Sequence, residues 1–161
     1  MLIRATLRHR AQCRGCFVRE RLPEAAPRTL NVVGEHITVL ASGAQTGSHE
    51  VFHQAGPDGS GPPPHSHPWD ESFYVIRGNV AFGIGEEEMV ASPGTLVHRP
   101  AGTTHWFRFA AGGGEMVSMT SREGASHMFT DFDREISPQS PDLQKLIELG
   151  ARHGLKVSTP D

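Results

Sequence analysis

The chain has 161 residues, a formal net charge of −3, 37% hydrophobic residues, 18 glycines and 12 prolines. That length fits one domain with a sizeable core, and the glycine and proline content argues for a turn-rich β fold over a helical one. So small a net charge argues for no polyanionic partner, and no apolar run is long enough to span a bilayer.

The first 21 residues are unlike the rest. Six arginines between Arg4 and Arg21 face only Glu20, a local charge of +5 that leaves −8 on the remainder. The leader MLIRATLRHRAQCRGCF is Arg-rich and acid-poor, as transit peptides are. It is read here as an upstream extension, and residues 1–27 are set aside from the fold. Its Cys13 and Cys16 form a single CxxC with no second pair and no surrounding βαβ pattern, so they read as free thiols in the arm. Without a disulfide framework the expected compartment is a reducing cytoplasm. No basic patch with interleaved aromatics follows, so neither a nucleic-acid nor a membrane partner is expected.

From Leu30 the pattern becomes strand-like. EHITVLAS from Glu35 is rich in β-branched residues. HEVFHQ from His49 alternates and runs into the loop AGPDGSGPPP. ESFYVIRG puts Glu71, Phe73 and Val75 on one face, and NVAFGIG does the same for Val80, Phe82 and Ile84. EMVA, TLVHRP, HWFRFA and EMVSMTS follow, separated by glycine-containing turn signals. Short strands at this spacing read as a sandwich or barrel. One helix is expected at the C-terminus. Ser140 is its N-cap candidate, Pro141 suits the first position, Leu143, Leu146, Ile147 and Ala151 recur at helical spacing, and Gly154 closes it. The division expected is 1–27 as extension, 28–135 as a β body, and 136–161 as helix and tail.

Four residues carry the chemistry: His65, His67, Glu71 and His105. Three imidazoles and one carboxylate make a mixed N/O set suited to a divalent first-row ion (Fe, Mn, Co, Ni, Cu or Zn). His65 and His67, two apart, leave the same face of a strand. Pro68 favours a turn, after which Glu71 opens the next strand. His105 follows the turn Ala101-Gly102-Thr103 and enters from a third. Four protein ligands leave one or two positions open, as in catalytic sites.

The segment Gly59 to Gly78 reads G-x5-H-x-H-x3-E-x6-G, and Gly94 to His105 reads G-x5-P-x-G-x2-H, with fifteen residues between them. Together these resemble the two signature motifs of the cupin superfamily, in its small single-domain form near quercetin dioxygenases and polyketide-modifying cupins. One position departs: the Asn often found four residues after the last His is Phe109. The resemblance implies an all-β double-stranded β-helix (jelly-roll) barrel with a C-terminal α-helix. It implies one divalent transition metal held by His65, His67, Glu71 and His105, and turn roles for Gly78, Gly94 and Gly102. A homodimer is expected on the same ground.

One fold hosts many chemistries. Wall candidates are Phe52, Phe73, Phe82, Phe107, Phe109 and Met119, and an apolar cavity favours a flat organic substrate. No basic cluster stands near the ligands to bind phosphate, and Arg77, Arg99 and Arg108 are expected to face solvent. The leading reading is dioxygenation of a small hydroxylated aromatic or enol, with Glu71 as ligand and general base. A redox-neutral cyclase, isomerase or lyase is the alternative, with Tyr74 as a candidate acid. A non-catalytic metal or small-molecule binding module is the third. Trp69 is a candidate gate. Of His36, His49, His53 and His98, one is a candidate pocket residue, and His127 and His153 are expected at the surface.

Overall fold

A computed structural model describes residues 27–121 and 124–158. The N-terminal extension, with Cys13 and Cys16, lies outside the described residues apart from Pro27. The chain opens with β1 (Leu30–Val32) and β2 (Glu35–Ala41), joined by the two-residue turn Val33-Gly34. Both turn residues have positive φ, 51° and 95°, as the tight hairpins that match strand twist require. The short helix α1 (Gly43–Thr46) leads into β3 (Glu50–Gly56). After the Gly/Pro-rich loop come β4 (His65–Ser66), β5 (Glu71–Arg77) and β6 (Val80–Ile84). Next are β7 (Glu87–Ala91), β8 (Leu96–Arg99), β9 (His105–Phe109) and β10 (Gly114–Thr120). Two helices follow, α2 (Ala125–Glu135) and α3 (Leu143–Arg152), and then the closing strand β11 (Lys156–Val157).

The strands form two antiparallel sheets. One runs β1-β2-β3-β10-β5-β8, the other β11-β4-β9-β6-β7. Residues of period two point into the space between them. Phe73 and Val75 from β5, Val80 and Phe82 from β6, Phe107 and Phe109 from β9 and Met116 from β10 make one buried cluster. Aligned apolar faces of this kind bury most of the surface that drives folding. Gly78 turns the chain from β5 to β6 at φ 73°, where a Cβ would stand 2.2 Å from the Gly113 carbonyl oxygen. Only glycine fits there without a shift of backbone.

The expected C-terminal helix is present as α3, but its N-cap is Asp142, whose side chain accepts from the Lys145 N–H. Ser140 and Pro141 precede it. An ionised carboxylate at the cap also meets the positive end of the helix. The helix α2 was not foreseen. Its Met128 and Phe132, with Ile136 at the C-cap, pack with Phe52, Trp69, Leu149 and Leu155 into a second cluster that closes one end of the sheets. Glu50, fully buried, ties α2 and α1 to β3: its carboxylate accepts from Ser126 N–H (3.0 Å), Ser126 Oγ and Gly43 N–H (2.9 Å). Among the described residues no helix is long and apolar enough to cross a membrane.

Candidate metal centre

His65 lies on β4 and pairs in register with His105 on β9. His67 sits just past β4, where Pro68 ends the pairing, and the Gly102 N–H donates to its carbonyl at 2.9 Å. That bond locks the two histidine-bearing loops together, and Gly102 accommodates it at φ 77°. The three imidazoles are buried, and each offers a ring nitrogen within 4.8 Å of those of the others. Glu71, at the start of β5, adjoins two of them: its Oε2 is 3.0 Å from His67 Nε2 and 3.7 Å from His105 Nε2.

The tautomers follow from the backbone. His65 Nδ1 faces the Pro63 carbonyl at 2.9 Å, His67 Nδ1 the Trp69 carbonyl at 3.2 Å, and His105 Nδ1 the Thr103 carbonyl at 3.2 Å. A carbonyl only accepts, so at His65 and His105 a proton on Nδ1 satisfies the contact and leaves the Nε2 lone pair free, whereas at His67 the Arg99 guanidinium also faces both ring nitrogens. His105 Nε2 is buried with no hydrogen-bond partner among the described residues. Burial pushes the His65 pKa down to about 3, helped by the neighbouring His105. Burial also lowers that of His67, against the opposing pull of Glu71. Burial alone would raise the Glu71 pKa, but hydrogen-bond donation and positive charge from His105 and His67 hold the carboxyl well below the usual range, the part a bound cation would take when both Nε2 atoms are unprotonated. Three buried imidazoles with converging ring nitrogens, two of them held neutral by burial, and an ionised carboxylate beside them fit a divalent metal ion.

Arg99 is a correction to the sequence reading. It was expected at solvent and is fully buried, because β8 alternates and turns Val97 and Arg99 inward. Its guanidinium lies against the ring nitrogens of His67 and 3.4 Å from Glu71 Oε2, and it donates to the Pro100 carbonyl at 3.0 Å. A fixed cation there disfavours an imidazolium at His67 and favours a carboxylate at Glu71. Arg108 is also partly buried and donates to the Pro62 and Phe107 carbonyls. Arg77 does face solvent, in an ion pair with Glu115 at 2.8 Å.

Beside the histidines lies a cavity of about 540 Å³, its open mouth included. Of the expected wall residues only Phe107 lines it. Phe73, Phe82 and Phe109 fill the core beneath, Phe52 packs under α2, and Met119 is exposed on the outer face. The other apolar walls include Trp69, Ile37, Leu155 and, from α2, Met128, Phe129 and Phe132. The sequence signal for α2 was the spacing of Met128, Phe129, Phe132 and Ile136, diluted by charged residues between them. Trp69 is a wall: it is buried and stacks on His67, with ring centroids 4.2 Å apart. Tyr74 is 45% exposed on the face opposite Glu71 and Phe73, so it supplies no acid to this cavity. None of His36, His49, His53 and His98 lines the cavity. His153 is half-buried and bridges α3 to α2 through Asp131 at 2.9 Å. Two polar residues missed from the sequence do line it, Glu35 and Gln54.

A family model for the cupin domain matches residues 51–120, the stretch that holds all four site residues. Residues 51–120 form a cupin domain. Solved cupin-fold structures agree with the two-sheet architecture. An RmlC-like cupin from Shewanella frigidimarina NCIMB 400 is 15% identical, over 66% of this chain and 93% of that one, with a TM-score of 0.59. KdgF from Halomonas sp. is 20% identical, over 58% and 84%, at 0.54. Oxalate decarboxylase from Bacillus subtilis is 16% identical, over 60% of this chain and 27% of that one, at 0.53. At these identities the likeness is one of fold. No curated protein matches the sequence significantly.

Proposed function

We propose that this cupin is a metal-dependent dioxygenase acting on a small hydroxylated aromatic or enol. The observation that carries the reading is the convergence of three buried imidazoles. Each faces a backbone carbonyl through Nδ1 and turns Nε2 toward a common point beside Glu71. His65, His67 and His105 would hold the ion, with Glu71 as the fourth ligand. The bound ion supplies an electrophilic anchor for a substrate oxygen.

The remaining work falls to the chain. Glu71 is held ionised and can accept the proton of an incoming hydroxyl. Arg99, behind it, keeps that carboxylate oriented and its charge balanced. Trp69, Phe107, Met128 and Phe132 shape an apolar enclosure suited to a flat organic molecule and shield the reacting atoms from water. Among the described residues no lysine or arginine lines the cavity, which disfavours a phosphorylated substrate.

The test is oxygen uptake. Protein loaded in turn with Fe, Mn, Co and Ni is mixed with flavonols and simpler enols in an oxygen electrode. Uptake is expected with at least one metal, and Glu71→Gln should lower its rate at least about 100-fold if Glu71 is the base. Substrate turnover without uptake would assign redox-neutral chemistry instead. Binding of metal with no turnover of any kind would leave a non-catalytic binding module.

A further inference from the structure

Buried polar groups in a folded protein have partners almost everywhere, because an orphan forfeits its hydration. The inner face of the first sheet places two buried polar residues beside the cavity, one of them an orphan. Gln54 on β3 is 3% exposed, and its Oε1 has no hydrogen-bond partner among the described residues. Glu35 at the start of β2 is 7% exposed and lines the same cavity. Gln54 pairs in register with Ile37, which lies two residues along the same face from Glu35. The two side chains are therefore diagonal neighbours on one wall. Glu50, further along β3, shows the contrast: it is equally buried, but its carboxylate is occupied by the Ser126 and Gly43 donors.

We propose that Gln54 and Glu35 are the specificity-determining pair of this cavity, and that they take a neutral hydrogen-bond donor, a hydroxyl or N–H, on an otherwise apolar ligand. Gln54 Oε1 only accepts, so the group that satisfies it must donate. Burial pushes the Glu35 pKa up to about 8, against the pull of Arg108, so at neutral pH this carboxyl is protonated and both donates and accepts. A ligand hydroxyl can meet both residues at once. A ligand carboxylate at this end would meet the Gln54 oxygen and the Glu35 carboxyl with no lysine or arginine among the described lining residues to balance it. The proposal deepens the dioxygenase reading, since it states which end of a hydroxylated substrate the protein reads away from the ligand histidines.

The test uses chelator-treated protein, so that no metal contributes to binding, and two matched probes, 4-ethylphenol and 4-ethylanisole. The ether replaces the hydroxyl hydrogen by a methyl group, which removes the donor and adds one methyl; the change of the ratio in Gln54→Leu isolates the donor. Ligand-observed NMR titration of the native chain should show the phenol binding roughly 5–10-fold tighter, the worth of one buried hydrogen bond. In Gln54→Leu the ratio should fall to about one. The variant should melt no lower than the native chain, because it removes an orphaned acceptor without changing volume much. Equal binding of both probes to the native chain, binding of neither, or an unchanged preference in Gln54→Leu would each overturn the proposal. Failure of the oxygen-uptake experiment leaves this result untouched, so the two readings fail separately.

Discussion

Replacing Glu35 by Gln should stabilise the protein, and by an amount that depends on pH. In the unfolded chain this carboxyl has its ordinary pKa of 4.5, whereas burial raises it to about 8 in the fold. The folded state therefore holds a proton that the unfolded state releases between those values. Whatever stability the residue allows is fully present below about pH 4.5 and is lost as pH rises toward 8. The penalty from this one group works out at about 1 kcal/mol at pH 5 and about 3 kcal/mol at pH 7. Glu35→Gln keeps the shape and removes the titration. Urea unfolding of both proteins, chelator-treated, gives the comparison directly, because every other titrating group is common to the two and cancels. The stability gain in Glu35→Gln should be about 2 kcal/mol larger at pH 7 than at pH 5. A gain that is the same at both pH values, or larger at pH 5, would refute the claim that Glu35 is buried without a compensating partner.

Three further substitutions probe other parts of the account. Arg99→Met removes the buried guanidinium from Glu71 and His67, and should cost about 3 kcal/mol in urea unfolding, as breaking a buried ion pair does. A loss below about 1 kcal/mol would mean that the guanidinium does not balance Glu71. Val33→Asn relieves a β-branched residue at φ 51° in the β1–β2 turn and should raise stability by about 1 kcal/mol. A lower melting temperature would show that Val33 contributes more by packing than it loses by strain. Phe132→Ala opens the junction of α2, α3 and the cavity wall and should cost about 3–4 kcal/mol. A loss under about 1 kcal/mol would mean that α2 is not held by this contact.

The strands and the histidine cluster were legible because both rest on short-range rules. Period-two alternation marked β5 and β6, and the motif spacing placed His65, His67, Glu71 and His105 at strand ends near turns. What lay hidden depended on tertiary context. Arg99 alternates with Val97, so its inward direction was visible in principle, but a charged residue carries a strong prior for solvent. Glu35 was overlooked for the same reason, although Ile37 shares its face. The helix α2 has only three buried apolar side chains, Ala125, Met128 and Phe132, along its polar length. Its burial comes from docking on Phe52 and Trp69, which no local pattern announces. The α3 cap fell two residues later than expected because Asp142 both caps and complements the helix dipole, whereas Ser140 precedes Pro141 and lies outside the turn.

The central claim is that His65, His67 and His105 bind one metal ion. Elemental analysis of the protein purified without chelator, beside His105→Ala prepared identically, tests it most directly. The account predicts about one first-row transition ion per chain in the native protein and loss of most of it in the variant. No bound metal in the native protein, even after reconstitution with each candidate ion, or equal metal content in the variant, would contradict it.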